Sequence, residues 1–275
     1  MSVELSSRLG VPVIVENKAG AGGIIAADFV AKAPPDGTTL LLATGGAISI
    51  APHLTQKLPY RAQRDLTPIA LIADTPMVIA VRSDSNFRTL ADLIKAAKAQ
   101  PGQVTFASTG NGTVSNLTGE LFAQATGIKL SHIPYKGAAP ATVDLLSGQL
   151  AAMVTTATSI EPMVNGRKAR VLATFTVAPL PNFPGVPTVK QAVGVPGLEV
   201  PVWVGLMAPA QTPSSILRKL SSEVMTICQL PETQRRLRES GAVSTCEDSI
   251  EFGRLIAEDS QRWERVIRSA NIKSE

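Results

Sequence analysis

The densest set of groups able to do chemistry lies between residues 104 and 120, Val-Thr-Phe-Ala-Ser-Thr-Gly-Asn-Gly-Thr-Val-Ser-Asn-Leu-Thr-Gly-Glu. Ser108, Thr109 and Thr113 carry hydroxyls, and Gly110 and Gly112 leave their backbone amides uncovered. Val104, Phe106 and Ala107 are strand-like residues ahead of them. Behind them the apolar residues Val114, Leu117, Leu121 and Phe122 recur at helical spacing. A helix starting there leaves its first-turn N–H groups without intrahelical acceptors. Those donors, the positive end of the helix dipole and the three hydroxyls make a site for a small anion. The plainer reading is an ordinary βα turn in which Thr113 or Ser115 only caps the helix.

Three other polar, glycine-rich stretches follow apolar runs: 17–23, then Thr44-Gly45-Gly46, then Tyr135-Lys136-Gly137. In open α/β sheets ligands sit at the carboxyl ends of strands, so four such loops in one chain point to a shared cleft. Groups for covalent catalysis are missing. There is no Gly-x-Ser-x-Gly elbow, and neither His53 nor His132 has a triad setting in the sequence. Gly20-Ala21-Gly22-Gly23 resembles the start of a dinucleotide fingerprint. However, Ile25 stands where the third glycine belongs, and no acidic residue ends the next strand. A small-molecule enzyme or dinucleotide-binding domain using that loop is the alternative to a binding protein. Cys228 and Cys246 are the only cysteines. With no histidine nearby they do not form a metal site, and they are either a disulfide or two separate buried thiols.

These groups need elements to position them. The chain has 275 residues, 44% hydrophobic and 17% charged, enough for a packed core in one large domain or two smaller ones. Net charge is +4, and the arginines of the last 60 residues alternate with acids at helical spacing, as on a solvated face. Two Tyr and two Trp make no aromatic platform, which argues against a nucleic-acid partner. No apolar run reaches membrane-spanning length. Strands are expected at 11–16, 38–43 (buried), 66–81 (broken at Asp74-Thr75-Pro76), 132–134, 150–154, 170–175 and 198–208. Helices are expected at 24–32, 48–54, 90–99, from 114, at 139–147 and over most of the last 60 residues. Alternating strands and helices predict an α/β fold with largely parallel sheets.

Several motifs, in order, carry a resemblance over nearly the whole chain. They are Val13-Ile14-Val15-Glu16-Asn17-Lys18-Ala19-Gly20-Ala21-Gly22-Gly23, Ala33-Pro34-Pro35-Asp36-Gly37-Thr38-Thr39-Leu40 and Leu58-Pro59-Tyr60. Phe106 to Thr113, Pro134-Tyr135-Lys136-Gly137, Ala208-Pro209-Ala210-Gln211-Thr212-Pro213 and the ending from Arg262-Trp263 to Ala270-Asn271-Ile272-Lys273 follow. The chain resembles the solute-binding proteins of the Bordetella uptake gene family, extracytoplasmic receptors of tripartite tricarboxylate transporters. The resemblance implies a type II periplasmic-binding-protein fold of two α/β domains, 1–75 with 199–275 and 76–198. These would close on a small carboxylate: a dicarboxylate, a tricarboxylate or an aromatic acid. It implies no catalysis, cofactor or metal, a monomer, periplasmic location and membrane transporter subunits as partners. Ligand contacts are expected from Thr44, Gly45, Ser108, Thr109, Gly110, Gly112, Thr113, Tyr135 and Thr155.

The chain departs from the family pattern in three places. Family members open with a strand and a Pro-Pro-Gly-Gly loop that donates to the ligand, whereas this sequence starts near the end of the following helix, without a signal peptide. The expectation is a shortened family member whose strand at 11–16 is left as an exposed edge, prone to association and weak in binding. Thr155 stands where the family often has an Asp able to hold a ligand amino group, so acids without an amino group are expected to be preferred. Asn116 stands where a His is common.

Overall fold

The computed structural model describes residues 1–269. Residues 1–74 form α1 (Ser2–Leu9), α2 (Ile24–Ala31), β1 (Leu41–Thr44), α3 (Ala51–Leu54), α4 (Ala62–Asp65) and β2 (Leu66–Asp74). Residues 75–202 form β3 (Met77–Arg82), α5 (Leu90–Ala99), β4 (Thr105–Ser108), α6 (Val114–Thr126), β5 (Ser131–Pro134), α7 (Ala138–Ser147), β6 (Ala152–Thr156), α8 (Ala157–Asn165), β7 (Ala169–Thr174) and α9 (Val189–Val193). The remainder forms β8 (Trp203–Pro209), α10 (Ser214–Cys228), α11 (Pro231–Glu239), β9 (Val243–Glu247) and α12 (Ser249–Ser269). Much of the helix pattern follows local rules. Thr89 and Asp92 make a reciprocal capping box at the start of α5, and Gly127 and Gly148 end α6 and α7 in the left-handed conformation.

The chain divides into two units. The first comprises Met1–Asp74, Trp203–Glu239 and Val243–Arg265; the second comprises Thr75–Val202, Ser240–Ala242 and, among the described residues, 266–269. The first unit holds a four-stranded sheet in the order β1-β8-β2-β9, antiparallel throughout. Its core gathers Ala27, Val30, Ile48, Tyr60, Trp203 and Phe252, among others. The indole N–H of buried Trp203 donates to Asp259 at 2.8 Å, and its ring meets Phe252 edge-on. The second unit holds a five-stranded mixed sheet, β5-β4-β6-β3-β7, in which β4 runs parallel to both β5 and β6. Helices α7 and α8 contribute Ala141, Leu145 and Ile160 to its core. Phe183, in the proline-rich loop, is also buried there. Thr75 donates from both its N–H and its hydroxyl to Val202 O, at 2.7 and 3.1 Å.

Four expectations need correction. The sheets are not largely parallel: among the described residues the parallel strand pairs are the two that β4 makes, because β8 and β3 enter between strands running the other way. Residues 11–16 form no strand, and Val11, Ile14 and Val15 are exposed at 54, 82 and 67%. Apolar composition gives a strand only where a neighbouring ladder takes its N–H and C=O groups; here Val13 N–H donates instead to the Ser6 hydroxyl at 2.8 Å. The stretch 38–43 yields only β1, whose alternating burial marks a half-exposed strand at the sheet edge rather than a buried one. Strand β9, short and polar, lies within a region expected to be helical. The motif residues from Ala270 to Lys273 lie outside the described residues.

Candidate functional site

Strands β4 and β6 are parallel neighbours, so the loops leaving their carboxyl ends lie side by side. Each leads into a helix. At α8 the first turn is closely approached by Gly241, from the connection between α11 and β9: a Cβ there would meet Glu161 Oε2 at 2.5 Å and Thr158 N at 3.3 Å. Thr156 shares its hydroxyl with those of Thr158 and Ser159, each at 2.8 Å, in that turn. The α6 turn is built differently. Its loop, 109–113, is partly solvent-facing, and its form is set by internal hydrogen bonds.

Ser108 is fully buried, and its hydroxyl is committed. It donates to Gly110 O at 3.1 Å, accepts from Gly110 N–H at 3.1 Å and lies 2.7 Å from His132 Nε2. Thr113 caps α6 by accepting from Asn116 N–H at 3.3 Å, and donates to Gly110 O at 2.7 Å. The Thr109 hydroxyl donates to that of Thr113 at 3.3 Å, while Thr109 N–H donates to the Ser115 hydroxyl at 3.1 Å. Ser115 in turn donates to Val154 O at 2.5 Å, fastening the helix start to β6. Gly110 and Gly112 have φ of 138° and 68°. A side chain at Gly110 would also press on Tyr135 O at 3.2 Å, so this turn requires glycine.

His132 was not expected here. It lies on β5 beside β4, with Phe106 opposite it in register and the two rings 4.9 Å apart. Asn116 Oδ1 accepts from Gly112 N–H at 3.2 Å, so its amide NH2 is the group that meets His132 Nδ1 at 3.3 Å. Nδ1 then accepts, and the Nε2–H donates to Ser108. The result is a Ser–His–Asn chain like that of a nucleophilic hydrolase. Here, however, the serine oxygen is buried and already has one donated and two accepted bonds, so the chain orders the loop. The only cue in the sequence was the departure at Asn116, whose side chain completes this network.

The other expected site residues divide. Tyr135 supports the loop through its main chain, Tyr135 N–H to Ser108 O at 3.2 Å, with Gly137 N–H to Thr109 O at 3.2 Å. Its hydroxyl donates to Asp144 at 2.6 Å, a bond that pushes the phenol up to about 12. Thr155 sits in β6, fully buried, and its hydroxyl has no hydrogen-bond partner among the described residues. Thr44 and Gly45 belong to the first unit, where Thr44 is exposed at the end of β1 and Gly45 starts the turn into Gly46–Ile50. The structure thus gathers Ser108, Thr109, Gly110, Gly112, Thr113 and Tyr135 into one network beside β6, the strand that carries Thr155.

The glycine turn Gly20–Gly23 does not have dinucleotide geometry. No strand leads into it among the described residues, and it packs closely on Gly46, where a Cβ would meet Gly22 O at 3.1 Å. A pyrophosphate fingerprint requires the strand–turn–helix context that is missing.

A family model described as tripartite tricarboxylate transporter family receptor matches residues 1–272. The chain belongs to this family. It is 34% identical to Protein BugT of Bordetella pertussis over 270 residues, 98% of this chain and 82% of that one. Among solved structures, the protein described as R. palustris Rpa4515 with adipate superposes with a TM-score of 0.95 at 30% identity, covering 99% of this chain and 91% of the other. MatC from Rhodopseudomonas palustris with bound malate superposes with a TM-score of 0.90 at 30% identity, covering 97 and 91%. The two-unit α/β architecture is therefore that of the receptor family's periplasmic solute-binding proteins.

Proposed function

We propose that this receptor captures a small carboxylate without catalysis, in the periplasm, for the membrane subunits of a tripartite tricarboxylate transporter. Two similar receptors were solved with adipate and with malate, which supports a dicarboxylate as the ligand class. The observation that carries the reading is the α6 turn. Its hydroxyls are used within the loop, and two positive-φ glycines bring main chain rather than side chains to the helix start. Val114 and Ser115 precede Leu117, whose N–H bonds back to Thr113 O at 3.0 Å, so their amides fall among the first-turn donors that a helix does not pair internally. In this reading they take the carboxylate with the helix dipole behind them.

Ser108 and Thr113 then act as positioning residues, and Thr109, Gly110 and Gly112 present the main chain. Thr155 offers the ligand a hydroxyl that has no protein partner among the described residues. Thr44 and Gly45 are proposed as further donors. Three or four hydrogen bonds to a charged group, about 1.5–3 kcal/mol each, exceed the entropy cost of association enough for micromolar affinity, about −8 kcal/mol. Because Thr155 is neutral, an ammonium brought there would be desolvated without a charged partner. Malate and adipate should therefore raise the melting temperature, and calorimetry should rank them above aspartate. Tighter binding of aspartate would overturn the ligand class. A shift with nicotinamide nucleotides and none with carboxylates would overturn the receptor reading.

A further inference from the structure

An asparagine followed by glycine exposes its side-chain amide to attack by the next main-chain nitrogen, because glycine has no Cβ to obstruct the approach. The pair occurs at Asn111-Gly112 and at Asn165-Gly166, and both asparagines are exposed. Their surroundings differ. Asn165 is the last residue of α8, and Gly166 N–H donates to Pro162 O at 3.0 Å in the final turn. Arg167 N–H and Lys168 N–H, donating to Val164 O and Met163 O at 2.9 and 2.8 Å, fix the chain beyond it. Asn111 lies outside any helix or strand. Gly112 N–H donates to a side chain, Asn116 Oδ1, at 3.2 Å, and Gly112 has φ 68°. Turning the Asn116 amide frees that nitrogen without unwinding a helical turn.

We propose that Asn111 is a site of spontaneous deamidation, with water as the co-reactant, and that the product closes the α6 turn to carboxylates. The second part rests on carboxylate capture by that turn; the first does not. Gly112 N, losing its proton to base, attacks Asn111 Cγ and forms an N–Cγ bond that closes a succinimide ring. The Cγ–Nδ2 bond breaks, and Nδ2 takes up a proton and leaves as ammonia. Water then opens the ring, its hydroxyl going to one ring carbonyl carbon and its proton to the ring nitrogen. Opening at Cγ leaves an aspartate; opening at the main-chain carbonyl leaves an isoaspartyl link, with one more methylene in the backbone. No group is oxidised or reduced. Either product sets a new carboxylate just ahead of α6, where the helix dipole favours it and where it repels a carboxylate ligand.

The test holds the full-length folded protein in mildly alkaline buffer, with a second sample in urea, and maps peptides by mass spectrometry. In the folded protein the Asn111 peptide should convert from amide to acid about tenfold faster than the Asn165 peptide, or more, because Gly166 is freed only by local unwinding. Aspartyl and isoaspartyl forms should both appear, and in urea the two rates should converge. Equal rates in the folded protein, or faster conversion at Asn165, would overturn the modification site. In calorimetry Asn111→Asp should bind malate about tenfold more weakly or worse. The acidic fraction of the aged parent, isolated by ion exchange, should show the same loss. Parental malate affinity in that fraction or in folded Asn111→Asp would overturn the closing of the turn. Peptide mapping uses no ligand, so a fresh parent protein that bound no malate would count against the receptor reading and leave the deamidation result standing.

Discussion

Replacing Ser108 with Ala separates a hydroxyl that holds the loop from one that touches the ligand. The serine oxygen accepts from Gly110 N–H at 3.1 Å and from His132 Nε2–H at 2.7 Å, inside a fully buried site. Alanine leaves both donors without that acceptor. An unmatched buried donor costs about 1–3 kcal/mol; Gly110 is partly exposed and can turn toward water, so the sum is about 2–3 kcal/mol. In a chain of this size each kcal/mol moves the melting temperature by about 2–4 °C, giving a fall of about 5–10 °C. Affinity for malate should fall as well, because Gly110 loses the bond that fixes its φ of 138°. Thr109→Ala is the internal control: its hydroxyl gives up a single bond of 3.3 Å, so stability should change by less than about 1 kcal/mol. Thermal unfolding of the ligand-free proteins, followed by calorimetry with malate, reads both quantities. A Ser108→Ala protein that melts within about a degree of the parent yet binds tenfold more weakly would refute the reasoning, since the hydroxyl would then be a ligand donor.

Three further outcomes follow from the same geometry. His132→Ala should lower both melting temperature and malate affinity, and His132→Gln, which keeps a donor for Ser108, should recover part of each; equal behaviour of the two variants in calorimetry would remove His132 from the positioning role. Gly119→Ala places a Cβ 2.2 Å from the Phe106 ring, an overpacking that should cost about 1–3 kcal/mol in denaturant unfolding, and an unchanged midpoint would show that α6 can move off β4 freely. Ile14→Asp, at a side chain 82% exposed among Val11 and Val15, should lower self-association in sedimentation at high concentration without lowering stability, and a sedimentation profile identical to the parent's would show that this apolar stretch is not adhesive.

What could be read from the sequence was local. Helix α6 begins at Val114 as expected because Val114, Leu117 and Phe122 repeat at the helical period and all three are buried. The break at Thr75-Pro76 was visible because proline lacks a ladder donor. What was missed depends on register and partners. His132 reaches Ser108 only because β4 and β5 pair in parallel with Phe106 opposite His132, and no periodicity within either strand specifies that pairing. Residues 11–16 read as a strand from composition alone, but a strand exists only through its ladder. The residue types of Ser108 and Thr113 suit either a ligand or a loop, and only the distances to Gly110 show that their hydroxyls bond within the loop. Strand β9 escaped notice because its exposed edge carries polar residues and needs no apolar alternation.

The most direct test of carboxylate capture by the α6 amides is Val114→Pro. Val114 is the first residue of α6, where proline is tolerated, and the preceding Thr113 has φ −82° and ψ 160°, the extended form that proline requires of its neighbour. The substitution removes one N–H and leaves the loop's side-chain bonds in place. Calorimetry with malate should show affinity reduced by about tenfold or more, the loss of one hydrogen bond to a charged group, with the melting temperature of the ligand-free protein nearly unchanged. Unchanged affinity in a protein that melts like the parent would contradict the account, because the first turn of α6 would then not hold the carboxylate.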